Sequence, residues 1–175
     1  MKRLLQLISL VSCLLSCLAW IQVRTIKIPD ELFLIRECRE KAFDDPSKIK
    51  LDSQRSFVNG DQLTRDGFVG VIAKEKKSPF RVLGTADVNV RTKVINNVFV
   101  TPEARGRGIG RALMEAAESV LGQGATVKLN VATNNKNAVR LYESIGYETK
   151  GLNGAVSALS AITNWQLEVV MTKEL

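Results

Sequence analysis

The run Val98-Phe99-Val100-Thr101-Pro102-Glu103-Ala104-Arg105-Gly106-Arg107-Gly108-Ile109-Gly110-Arg111-Ala112-Leu113 is the most informative stretch of this chain. An apolar strand stops at a proline, a glycine-rich loop follows, and an amphipathic helix begins. Arg105, Arg107 and Arg111 crowd the start of that helix. Cations there oppose the helix dipole, at a cost of about 0.3–1 kcal/mol each when exposed. An anion among them would remove the conflict. The free N–H groups of a helix N-terminus are donors for such an anion, and glycine lets the backbone approach phosphate oxygens with no Cβ in the way. The segment reads as a pyrophosphate cradle. The plainer alternative is a basic, glycine-rich turn that only starts a helix.

Two common phosphate motifs are excluded. A P-loop ends in Gly-Lys-Ser/Thr, whereas Gly110 is followed by Arg111 and Ala112. A dinucleotide fingerprint spaces its glycines G-x-G-x-x-G, whereas Gly106, Gly108 and Gly110 read G-x-G-x-G. The pattern that fits is R-x-x-G-x-G, met by Arg105, Gly108 and Gly110. It resembles the acetyl-CoA signature of the GCN5-related N-acetyltransferases, the GNAT superfamily. A second segment, Leu129 to Tyr147, resembles that family's N-x-x-A-x-x-L-Y-E-x-x-G-[FY] signature through Asn135, Ala138, Leu141, Tyr142, Glu143, Gly146 and Tyr147. The two motifs stand in the family's order and at its usual separation. The resemblance extends from about Ile21 to Leu175.

Periodicity supplies the rest of the outline. Gln22 to Ile28 alternates like a half-buried strand. Pro29-Asp30-Glu31 opens a helix, with Leu32, Ile35, Ala42 and Phe43 on its inner side and Asp44 to Ser47 at its end. Residues 47–66 are polar and irregular, anchored by Ile49, Leu51, Phe57, Val58 and Leu63; a short helix or loop is expected there, a candidate wall for the acceptor. Gly67 to Ala73, Arg81 to Val90 and Lys93 to Val100 predict an antiparallel meander, with a charged turn from Lys74 to Phe80. A helix from about Gly108 to Leu121 has its apolar face at Ile109, Ala112, Leu113, Ala116 and Val120 and stops at Gly122 and Gly124. A strand over Thr126 to Ala132, a helix over Asn137 to Ile145 and strands over Tyr147 to Lys150 and Trp165 to Lys173 complete the order, with 151–164 as a loop. This is α+β: a mixed, mostly antiparallel central sheet flanked by helices in a single domain. The order matches the GNAT fold, whose sheet splits beside the cofactor.

The 175 residues are 45% hydrophobic, enough for one sizeable core. The net charge is +7, which suits nucleic acid, an anionic membrane or a polyanionic small ligand. No basic run is interleaved with aromatics, so nucleic acid is not expected. Histidine is absent. That removes Ser-His and Cys-His activation and the commonest metal ligand, and no metal is expected. Cys13, Cys17 and Cys38 make no zinc pattern.

Residues 1–19 read as a hydrophobic leader. Met1-Lys2-Arg3 precedes an apolar stretch, residues 4–20, with small residues near Cys17 and Ala19. A secretory signal peptide fits this pattern. An uncleaved signal anchor with membrane association through residues 4–20 is the rival, since such a stretch can just span a bilayer. Acetyl-CoA is plentiful in the cytosol, mitochondria and plastids, and a plastid reached through a signal peptide is a further destination. Residues 21–175 form the domain. Cleavage after Ala19 would leave Cys38 alone, with no internal disulfide.

The resemblance also implies roles. The pantetheine arm of acetyl-CoA would lie along Val98, Phe99 and Val100, bonded to their main-chain groups. Arg105, Gly106, Arg107, Gly108, Ile109, Gly110 and Arg111 would bind the pyrophosphate, chiefly through the N–H groups of 107–111; for Arg111 a solvated helix face competes with phosphate contact. Asn135 would touch the cofactor near its pantetheine portion, while Asn137 is assigned to capping the helix. Tyr142 would protonate the departing thiolate, although its place on the stripe Ala138, Leu141, Tyr142 and Ile145 also suits a core residue. A main-chain N–H on the Val98–Val100 strand would polarise the thioester carbonyl. Many relatives carry a glutamate base on the fourth or fifth strand; here the positions read Asn96, Asn97 and Asn130. Asp61, Asp66 and Asp87 are the substitutes on offer. The expected activity is acetyl transfer to a primary amine, whether a peptide, a protein lysine or a small amine. A non-catalytic acyl-CoA-binding module and a membrane-anchored interaction protein are the alternatives.

Overall fold

The computed structural model describes residues 20–43, 52–78, 80–149 and 168–175. The leader expected over 1–19 lies outside these residues, as do the helix stop at 44–47, the anchors Ile49 and Leu51, the loop 151–164 and Trp165. Among the described residues no helix is long and apolar enough to cross a membrane.

The elements run β1 (Ile21–Thr25), α1 (Leu32–Glu40), α2 (Asp52–Asn59), a 3-10 turn (Asp61–Thr64), β2 (Phe68–Glu75), β3 (Val82–Asn89), β4 (Val94–Val100), a second 3-10 turn (Pro102–Ala104), α3 (Ile109–Leu121), β5 (Thr126–Ala132), α4 (Lys136–Ser144), β6 (Glu148–Thr149) and β7 (Glu168–Glu174). One sheet holds the strands in the order β1-β2-β3-β4-β5-β7-β6. Every pairing is antiparallel except that of β4 with β5. The architecture is the mixed, mostly antiparallel α+β sheet that the sequence predicts.

β3 explains the layering. Every residue from Val82 to Val88 is buried, so helices must cover both faces of the sheet. Successive side chains of a strand point to opposite faces. Val71 and Ala73 of β2 accordingly join Leu83, Ile109, Leu113 and Leu129 in one core, while Ile72 joins Leu34, Ile35, Cys38 and Leu63 in another. Each large apolar side chain buried in this way contributes about 1.5–3 kcal/mol.

Two helix faces differ from the periodic reading. α1 ends at Glu40, and its buried positions are Leu34, Ile35, Cys38 and Arg39. Ala42 and Phe43 lie beyond it, because their N–H groups bond to the carbonyls of Arg39 and Glu40 in tighter three-residue turns. On α3 the fully buried set is Ile109, Leu113, Met114, Ala117 and Leu121. Ala112, Ala116 and Val120 are only half-buried. The stripe is turned because α3 meets α4 on its Gly110 side as well as the sheet: a Cβ on Gly110 would lie 2.9 Å from Leu141 Cδ2.

The decisive feature for function is where the sheet comes apart. β4 and β5 pair only at Val94↔Lys128, reinforced by the Lys128 N–H donating to the Lys93 carbonyl at 2.9 Å. Beyond that point β4 continues along β3, while β5 continues along β7.

Candidate functional site

A cleft of about 800 Å³ occupies the split, lined by Val98, Phe99 and Val100 of β4, Ala104 to Gly106, Gly108 to Arg111, Asn135, Asn137, Ala138, Leu141 and Tyr142. Every candidate site residue lines it except Arg107. The Arg107 guanidinium sits 4.0 Å above the Trp20 ring instead. That cation–π contact turns its side chain from the cleft and leaves only its main chain for a ligand.

The loop has the geometry the glycines imply. Gly106 has φ 73° and Gly108 φ 76°, a left-handed conformation that side chains rarely adopt. Gly108 caps α3 with no side-chain hydrogen bond to the helix. The Ala112 N–H donates to the Gly108 carbonyl, and the Arg105 N–H to Pro102. Between those two bonds, the N–H groups from Gly106 to Arg111 meet no acceptor among the described residues. Two arginine side chains frame this row. Arg105 Nε donates to the Val100 carbonyl at 3.2 Å. Arg111 donates to Ser144 Oγ at 3.0 Å, bracing α3 against the end of α4. Such an arrangement of main-chain donors at a helix N-terminus suits an anion.

Along β4 the three candidate residues divide. The Thr101 N–H donates to the Leu83 carbonyl. In an antiparallel pair alternate residues share a direction, so Phe99 also turns its main-chain groups to β3. Val98 and Val100 present theirs to the open edge. Phe99 also lines the cleft, while its ring packs with Phe57 and the Leu34–Ile35 cluster. Immediately before Val98 the register slips: Thr85 pairs with Phe99 and Asp87 with Asn96. Asn97 has φ 51°, so β4 carries a bulge at this point.

Asn135, not Asn137, is the cap of α4: its Oδ1 accepts from the Ala138 N–H at 3.2 Å. Asn135 also lines the cleft. Asn137, expected as the cap, is exposed and lines the cleft. Tyr142 is 7% exposed and contributes to both the core and the cleft wall. Burial pushes its phenol up to about 12, so it stays protonated, a donor, through the neutral range.

Among the described residues no Asp or Glu lines the cleft. Asp66 and Asp61 are exposed, the former paired with Arg91. Asp87 is fully buried, with Arg39 Nη2 on one oxygen at 2.5 Å and the side-chain amides of Gln62 and Asn97 on the other. A carboxylate so engaged is not a base for an incoming amine. Sequence reading missed Arg39, although a cation beside Ile35 and Cys38 on an apolar helix face and an acid inside the buried strand Val82 to Val88 form a legible pair. Among the described residues no group of His, Cys, Asp or Glu is placed to hold a metal ion.

Residues 61–149 match the family model described as an acetyltransferase (GNAT) domain, which is half of the chain. Over 58 residues the chain is 38% identical to the N-alpha-acetyltransferase RimI of Mycobacterium tuberculosis, covering 33% of this chain and 36% of that protein. The chain spans 16% to 40% of the length of the curated relatives it matches. Among solved structures, the ribosomal-protein-S18-alanine N-acetyltransferase of Escherichia coli superposes with a TM-score of 0.63 at 20% identity, over 87% of this chain and 92% of that one. The PaiA N-acetyltransferase of Thermoplasma acidophilum, solved in complex with coenzyme A, gives 0.59 at 16% identity, over 89% and 99%. At these identities the likeness is one of fold.

Proposed function

This chain belongs to the GNAT acetyltransferase family, and we propose that it transfers an acetyl group from acetyl-CoA to a primary amine by direct attack. The observation that carries this reading is the row of N–H donors from Gly106 to Arg111, which meet no protein acceptor among the described residues, at the mouth of a split sheet. The diphosphate of acetyl-CoA would accept from that row, with Arg105 and Arg111 as flanking charge. The pantetheine arm would run along the open edge of β4, bonded to Val98 and Val100. A neutral amine attacks the thioester carbonyl; a main-chain N–H of β4 stabilises the oxyanion. As the carbon–sulfur bond breaks, Tyr142 donates its phenolic proton to the leaving thiolate; the attacking nitrogen gives up its extra proton to water, from which the phenolate is reprotonated. One relative is named an N-alpha-acetyltransferase and one neighbour a ribosomal-protein-S18-alanine N-acetyltransferase, which makes a peptide α-amine the first acceptor to try, ahead of a protein lysine or a small amine. The leader supports entry into the secretory route, or an anchor at a membrane, with a plastid as the alternative.

One observation favours a second reading. Among the described residues the cleft is lined by no carboxylate, which suits a non-catalytic acyl-CoA-binding module. An acceptor screen with the full chain and labelled acetyl-CoA separates the two. Label transferred to peptides, lysine-bearing proteins or polyamines supports catalysis. Tight CoA binding with no transfer to any of them identifies the binding module.

A further inference from the structure

Beside the cleft lies a buried polar cluster that the transfer step above does not use. Arg39 reaches from α1 to β3 and α2: Nε donates to Thr85 Oγ1 at 3.1 Å, Nη1 to the Phe57 carbonyl at 2.9 Å and Nη2 to Asp87 Oδ1 at 2.5 Å. Both members of this ion pair are fully buried. Asp87 Oδ2 accepts from Gln62 of the 3-10 turn and from Asn97 Nδ2 at 2.8 Å. Asn97 is the left-handed residue of the β4 bulge, one position before Val98.

A buried ion pair is a poor way to add stability, because well-packed apolar residues of the same volume do as well or better. It can instead select one arrangement among several. The arrangement at stake here is the register of β4. A slip of one residue would exchange the faces of Val98, Phe99 and Val100 and turn the open-edge N–H groups toward β3. Asparagine tolerates φ 51° better than most residues, yet nothing local forces it there. The hydrogen bond to Asp87 does so, and Arg39 fixes Asp87. A second link runs parallel: Phe57, under the Arg39 guanidinium at 4.9 Å, meets the Phe99 ring edge-on at 6.3 Å.

We propose that Asp87 is a positioning residue which, through Asn97, locks the β4 bulge and so sets the direction in which Val98 and Val100 offer their main-chain groups to the acyl-CoA. This rests on the acetyl-transfer reading for its consequence in rate, but not for its structural core.

The test uses the full chain with Asn97→Gly, Asp87→Asn and the double variant. Glycine adopts φ 51° freely but lacks the bond to Asp87. Residual dipolar couplings report the Val98 and Val100 N–H directions, calorimetry reports CoA affinity, and turnover is followed with the acceptor from the screen. The expected result is reoriented N–H vectors in each variant. Turnover should fall roughly tenfold to a hundredfold, CoA affinity should weaken without being abolished because the Gly106–Arg111 row still holds the diphosphate, and the double variant should be no worse than either single. Wild-type vectors in Asn97→Gly, or fully additive losses, would overturn the proposal. Should Asp87→Asn fail to fold, the Asn97→Gly vectors decide alone. If the wild-type chain transfers no acetyl group, the functional reading fails while the vectors still judge the anchor.

Discussion

Tyr142 belongs to a core and to a cleft at once. Its ring packs 6.0 Å from that of Tyr147, and its phenol is held up at about 12 by burial. Tyr142→Phe keeps the packing and removes the proton. It should slow acetyl transfer about a hundredfold or more while calorimetry finds CoA affinity unchanged; a wild-type rate would return Tyr142 to the core. The raised phenol also has a thermodynamic sign. The folded state holds this proton more tightly than the unfolded chain, whose tyrosine titrates near 10. Its contribution is therefore complete below pH 10 and is lost as pH rises toward 12, and urea titrations across that window should show the decline. Charge pairs differ by their surroundings. Asp87→Ala leaves Arg39 buried without its carboxylate and should cost about 3–5 kcal/mol. Removing the exposed Asp66 partner of Arg91 should cost under about 1 kcal/mol. Urea unfolding of both variants checks the contrast.

Among the elements, α3 matters most because its N-terminus is both a packing surface and a row of donors. Gly108→Leu puts a branched side chain at φ 76°, where only glycine is at ease. Calorimetry should find CoA binding abolished, and circular dichroism should find the fold retained. The entry to α1 carries an acid-sensitive clasp. Glu31 takes two bonds from Arg24, at 2.5 and 2.8 Å, and one from the Lys27 N–H. The hydrogen bonds from Arg24, then that from Lys27, draw its carboxyl down to about 2. The clasp is complete above pH 4.5 and opens as pH falls toward 2, so hydrogen exchange at Leu32 to Ile35 should rise over that interval and Glu31→Gln should remove the pH dependence.

These elements also show what a sequence can carry. The start and stop of α3 were legible, because glycines and proline punctuate the chain by backbone geometry. β5 was legible because it alternates. The inner face of α1 was not, since a helix end set by three-residue turns leaves no periodic trace, and Arg39 breaks the apolar stripe for the sake of a partner 48 positions away. The helix-capping Asn135 was obscured by the rival Asn137 two residues on. The stacking of the Arg107 side chain on Trp20 left no local trace, because the two residues stand far apart in the sequence.

For the molecule as a whole, the central event is the parting of β4 and β5. No local pattern encodes it. It follows from β4 continuing along β3 while β5 pairs with β7, and it places the α3 N-terminus, the open β4 edge and Tyr142 around one cavity. A ligand filling that cavity should hold the two halves of the sheet together. At about 100 times its dissociation constant, CoA should add roughly 2.7 kcal/mol of stability, visible as a raised melting temperature. The claim beneath all of this is that the main-chain donors from Gly106 to Arg111 receive the diphosphate of coenzyme A. A titration of the nitrogen-15-labelled chain with CoA tests it residue by residue. The largest amide shifts should fall on Gly106 to Arg111, ahead of every other segment. Those amides standing unmoved at saturating CoA would contradict it.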